Sequence, residues 1–104
     1  MREITYTDLM VMDLQNLPGK IKELEKITNP LEKQWRQRQI ADVERLLVEL
    51  DETERFVVDE VVIKQGTVKL CADALAMTNN EVRCIRDYAI SHLCSLRYGA
   101  AYRP

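Results

Sequence analysis

No stretch of this chain approaches the ~20 consecutive apolar residues that cross a bilayer, although 46% of its 104 residues are hydrophobic. The first residues, Met1-Arg2-Glu3-Ile4-Thr5, lack the apolar core of a signal peptide. A cytoplasmic protein that does not enter membranes is the expectation. Cysteine is sparse: Cys71, Cys84 and Cys94 form no CxxC pair, and no His lies near them at metal-ligand spacing. Their odd number does not suggest a disulfide framework. Cys71 and Cys94 read as small core hydrophobes. A redox switch at Cys84 is the alternative, with no activating base visible beside it.

Histidine occurs once, at His92, with no Ser or Cys nucleophile arrangement beside it. Glycine-rich phosphate loops and metal-ligand clusters are absent from the sequence. The neighbouring carboxylates Asp51-Glu52 and Asp59-Glu60 would point to different sides of a helix and could not act as a pair. An enzyme is therefore not expected, nor a cofactor or bound metal. Internal repeats and low-complexity tracts are also missing, and the length favours one domain with an appended helical segment.

Charge is balanced towards acid, with fifteen basic against seventeen acidic residues. It is unevenly spread. From Glu60 onward the basic residues are Lys64, Lys69, Arg83, Arg86, Arg97 and Arg103, and the acidic ones are Glu60, Asp73, Glu81 and Asp87. The C-terminal part is thus weakly positive and the remainder negative. A small positive face would give modest, salt-sensitive affinity for nucleic acid. An acidic remainder suits a protein partner.

What is present is helical period with strong caps. Thr5-Tyr6-Thr7-Asp8 opens a first helix, followed by Leu9, Met10, Met12, Leu14 and Leu17. Pro18-Gly19 should stop or kink it. Period resumes with Ile21, Leu24 and Ile27, while Glu and Lys interleave on the other face. The apolar first segment lacks the basic polar face of a membrane-surface helix. It suits the core or a dimer contact.

Asn29-Pro30 is a helix start, with Asn29 as cap and Pro30 at the first helical position. That helix should run over 30–50. Residues 34–39 are polar apart from Trp35, whereas Ile40, Val43, Leu46, Leu47 and Leu50 form an apolar face. Trp35 with Arg36 and Arg38 has two readings: a contact for a partner protein or nucleic acid, or a Trp folded back on the core.

Asp51 and Glu54 form a capping-box pattern that opens a helix over 52–65. Its β-branched run, Val57, Val58, Val61, Val62 and Ile63, offers a strand as the rival. The cap and the Asp59-Glu60 interruption favour helix. Gly66 should end it as a C-cap.

The stretch TVKLCADALAMTNNEVRCIRDYAISHL, residues 67–93, then reads as two helices joined by a tight turn. Thr67 caps Val68–Leu75, the turn is Ala76-Met77-Thr78, and Thr78 caps a longer helix over 79–96 with Gly99 beyond its end. The remaining tail should fray. Cys71, Ala72, Leu75, Met77, Val82, Ile85, Ala89, Ile90 and Leu93 are spaced to share one small core between steeply crossing helices. The outward positions of the second helix are Asn79, Asn80, Arg83, Arg86 and Asp87. Asn and Arg pair bidentately with adenine and guanine edges in the major groove. Asn79, Asn80, Arg83 and Arg86 are the candidate DNA-reading set, with Thr67, Lys69 and Thr78 as candidate phosphate contacts, while Glu81 and Asp87 lie on or near that face and would repel phosphates. Their bland roles are solvated face, surface lysine and caps.

From Val43 to Leu96 the order of elements resembles the promoter-reading C-terminal domain of bacterial sigma factors, their fourth conserved region. It is closer still to small phage transcription regulators of the ArpU/RinA type. The residues that carry the likeness are Leu50-Asp51-Glu52-Thr53-Glu54-Arg55, the helix ending at Gly66, Cys71-Ala72 with Leu75, Thr78, then Val82, Ile85 and Ala89-Ile90. Asp51 stands where the family often has Pro, Val61-Val62 replaces an Arg-Tyr pair, Val68 replaces an aromatic residue, and Ala76 replaces a turn Gly.

The resemblance implies an all-α protein. A helical segment over 1–47 would serve dimer or partner contact, a helix-turn-helix domain over 48–98 would bind DNA, and 99–104 would be a tail. Its partners would be double-stranded DNA, RNA polymerase and a second copy of the chain. Two rival functions stand beside the transcription regulator. One is a module that binds RNA polymerase or a sigma factor instead of DNA. The other is a small DNA-packaging (terminase) subunit, which would assemble into rings.

Overall fold

The computed structural model describes residues 3–103. Met1 and Arg2, at the start of the expected N-terminal segment, and Pro104, at the end of the expected tail, lie outside the described residues. Every regular element among the described residues is helical: α1 (Tyr6–Leu24), α2 (Pro30–Leu47), α3 (Glu52–Val57), α4 (Val68–Leu75) and α5 (Asn79–Tyr98). The fold class is all-α. A π-helical segment, Val58–Ile63, continues α3, and a 3₁₀ turn, Gly99–Ala101, follows α5.

Local chemistry explains where the helices begin. The side chain of Thr5 accepts from the Asp8 amide at 3.1 Å, while Asp8 accepts from the Thr5 amide at 3.0 Å. The same reciprocal box joins Asp51 and Glu54. Asn29 accepts from the amides of Leu31 and Glu32 ahead of Pro30. Each cap satisfies amides that a helix start leaves without intrahelical partners.

α1 does not stop at Pro18-Gly19: one helix runs through both residues. Proline removes one helical hydrogen bond. Leu17 and Leu24 nevertheless pack on the same apolar cluster on either side of it, so burial holds the two halves in one helix. Ile21, expected on the apolar face, is instead exposed. α2 ends at Leu47, three residues earlier than expected, although Leu50 still reaches the core.

The interior consists of two apolar clusters. The larger one joins Met10, Leu14 and Leu17 of α1 and Ile40, Val43 and Leu47 of α2 to Val58, Val62, Ala89, Ile90, Leu93 and Cys94. The smaller one contains Val57, Cys71, Ala72 and Val82, flanked by Phe56, Val61, Leu75, Met77 and Ile85. Val58 and Val62 therefore serve one cluster while Val57 and Val61 serve the other. This two-sided burial accounts for the continuous β-branched run that otherwise suggests a strand. α5 spans both clusters in the same way, with Val82 and Ile85 in one and Ala89, Ile90 and Leu93 in the other. The apolar set expected to form one small core is thus divided between two.

The end of the π segment corrects the role of Gly66. The left-handed residue is Gln65, with φ 56°, not the glycine. Gly66 donates its amide to the Glu60 carbonyl at 2.8 Å, and a Cβ at Gly66 would lie 2.8 Å from that oxygen. Glycine is needed there for close approach. The tail also differs from the frayed end expected. Tyr98 completes α5 and its ring lies 4.5 Å from that of Tyr6, centroid to centroid. Tyr102 packs on the larger cluster and donates its hydroxyl to Ser91 Oγ at 3.2 Å.

Candidate nucleic-acid interface

The turn between α4 and α5 sets the site. α4 closes with Ala76 in the left-handed conformation, φ 55° and ψ 45°. The Met77 amide donates back to the Ala72 carbonyl at 2.9 Å, and the Ala76 amide to Asp73 at 3.3 Å. This is a Schellman closure, and the apolar contact that accompanies such closures is supplied by Met77 packing on the cluster that contains Ala72. Thr78 then caps α5 by accepting from the Glu81 amide at 3.1 Å. Val82 on one side and Ala72 on the other are fully buried, which fixes the rotation of α5 about its axis.

That rotation places Asn79, Asn80 and Arg83 on the exposed side of the first turns of α5. Arg83 Nη1 donates to Asn80 Oδ1 at 3.2 Å, so the two side chains lie against each other on that surface. Arg86 is placed differently. Its side chain is only 32% exposed, and its Nε donates to the carboxylate of Asp87 at 3.0 Å. One of its five N–H donors is engaged before any ligand arrives, with a carboxylate held beside its charge, and Glu81 adds an exposed carboxylate one position from Asn80.

Thr67 and Thr78 are exposed and act as caps, Thr67 by accepting from the Leu70 amide at 3.2 Å. A threonine hydroxyl that accepts one hydrogen bond still has a proton to donate, so the capping role leaves a phosphate contact open. Both lie at helix N-termini, where amide groups and the helix dipole favour an anion. Lys69 is exposed on the first turn of α4. Lys64, by contrast, is held by Glu60 at 2.7 Å, and that neighbour raises its ammonium pKa.

Trp35, Arg36 and Arg38 lie on α2, a different helix. Trp35 is 62% exposed, so it does not fold back on the core as one reading held. The core positions of α2 begin at Ile40, one helical turn too late to bury it. Arg38 is exposed, whereas Arg36 is half-buried with its Nε enclosed and without a hydrogen-bond partner.

One feature beside the site escapes sequence reasoning. A groove of about 550 Å³ runs along the flank of α5 between Arg86, Asp87 and Ser91 on one wall and Thr7, Val11 and Gln15 of α1 on the other. Its walls lie about eighty residues apart in the chain, beyond any local pattern. Among the described residues, no group of three or more His, Cys, Asp or Glu side chains could hold a metal, and no helix is long and apolar enough to cross a membrane. No protein-family model, curated protein or solved structure matches this chain.

Proposed function

We propose that this protein is a sequence-specific DNA-binding transcription regulator of the bacterial cytoplasm, phage-encoded and similar to the ArpU/RinA type. In this reading α4 and α5 form a helix-turn-helix like that of sigma factor region four. The observation that supports it most is the exposed Asn79, Asn80 and Arg83 face on the first turns of a helix whose rotation is fixed by buried Val82. Asn80 and Arg83 would contact base edges, and Thr67, Lys69 and Thr78 would donate to phosphates. Arg86, tied to Asp87, contributes less than its sequence position suggests. No catalytic step belongs to this reading, and it assigns no cofactor.

A second reading rests on the same pairing. With Arg86 neutralised by Asp87, Glu81 exposed and the whole chain at −2, the surface also suits a basic protein partner such as a face of RNA polymerase or a sigma factor. Fluorescence anisotropy with pooled duplexes from the source genome, across a salt series, separates the two. DNA reading gives affinity that falls steeply with salt while a few duplexes are retained. Absence of binding at low salt rejects it in favour of the protein partner.

A further inference from the structure

We propose that the outer face of α2 is self-complementary and pairs antiparallel with the same face of a second copy of this chain. Leu31, Trp35, Arg38, Asp42 and Arg45 follow one another at spacings of four, three, four and three residues. That alternation keeps all five on one stripe of the helix, apolar at its N-terminal end and charged over Arg38, Asp42 and Arg45. All five are exposed: Leu31 at 78%, Trp35 at 62%, and the Asp42 and Arg45 side chains well open to solvent. The core face of α2, Ile40, Val43 and Leu47, lies on another side, and within the stripe Asp42 pairs with Arg45 of its own helix at 3.8 Å, an exposed contact that a second copy's Arg38 would share.

The charges on the stripe determine the occupant and its direction. Placing a two-fold axis beside Ile40 sets Arg38 level with Asp42 of the partner copy, and symmetry makes that pair twice. The same register sets Trp35 level with the other copy's Arg45, a guanidinium over an indole face, also twice. Leu31 then comes level with Val48 and Glu49 of the other copy, and Val48 is itself 75% exposed. A parallel pairing would instead set Arg38 against Arg38 and Asp42 against Asp42. Isologous contacts of this kind close as a dimer. One helix pair is a small interface, so the expected dissociation constant is on the order of micromolar.

This pairing deepens the assignment of the N-terminal helices to dimer contact and is measured without DNA, so it stands or falls separately from DNA reading. The test is sedimentation equilibrium on the full chain with R38D, D42R and the R38D/D42R double variant. Trp35, the one tryptophan, reports burial of the stripe directly by a blue shift of its emission on association. Either single swap opposes like charges twice and should weaken association about tenfold or more, with helix content unchanged because the face is exposed. The double swap restores both pairs and should restore the dimer. A wild-type chain that stays monomeric to about 1 mM overturns the proposal. So does a dimer indifferent to the single swaps, or a double swap that fails to rescue.

Discussion

Met77 reaches back to Ala72: its amide donates to the Ala72 carbonyl at 2.9 Å while Ala76, between them, takes φ 55°. This closure aims α5. It also places a residue with a Cβ where left-handed backbone favours glycine.

Ala76→Gly should therefore stabilise the fold by about 1 kcal/mol, since a left-handed L-residue costs roughly 1–2 kcal/mol. Thermal unfolding followed by circular dichroism should show a midpoint higher by about 4–8 °C. Ala76→Val should shift it the other way. A midpoint unmoved by the glycine would mean that the turn carries no strain.

Two adjacent positions after the π segment should respond with opposite sign. Gln65, at φ 56°, should gain from Gln65→Gly by roughly 0.5–1 kcal/mol. Gly66→Ala drives a Cβ to 2.8 Å from the Glu60 carbonyl oxygen and should cost about 1–3 kcal/mol. Urea unfolding of both variants checks the pair; equal effects at the two sites would contradict the geometry.

The thiols should divide by burial. Cys84 is exposed while Cys71 and Cys94 are buried, so one thiol per native chain should react quickly with a disulfide reagent and three after denaturation. Burial pushes both buried thiols above their ordinary pKa of 9.0, with Glu60 reinforcing the shift at Cys71 and Thr7 and Arg97 opposing it at Cys94. The fold favours the protonated form. This contribution is complete below pH 9.0 and is lost as pH rises through the raised values of the folded state. Urea unfolding at about pH 8 and pH 10 should show a stability loss that Cys94→Ala reduces. An unchanged loss in that variant would remove the thiol from the account.

The caps were legible from sequence because each acts within three residues. Asn29, Asp51 with Glu54, Thr67 and Thr78 all cap where their spacing predicts. α4 matches its predicted bounds for that reason. Whether the helix stops or continues at Pro18 could not be chosen from sequence, because it depends on Leu17 and Leu24 meeting residues from other helices. The π segment was hidden likewise: Val57 and Val58 look alike in sequence but serve different clusters. At the candidate site, Asn79, Asn80 and Arg83 could be placed from helical period alone. The tie of Arg86 to Asp87 could not, since period fixes a direction and not a rotamer. Arg97 meeting Asp13 across the fold is a contact between chain ends that no local pattern encodes.

Amide chemical shifts of the isotopically labelled chain, titrated with a duplex at low salt, reveal whether α5 reads DNA. Shifts should concentrate at Thr67, Lys69, Thr78, Asn79, Asn80 and Arg83, vanish at high salt and weaken in Arg83→Ala. Shifts confined to α2, or none with duplex in excess, would contradict α5 as the reading helix.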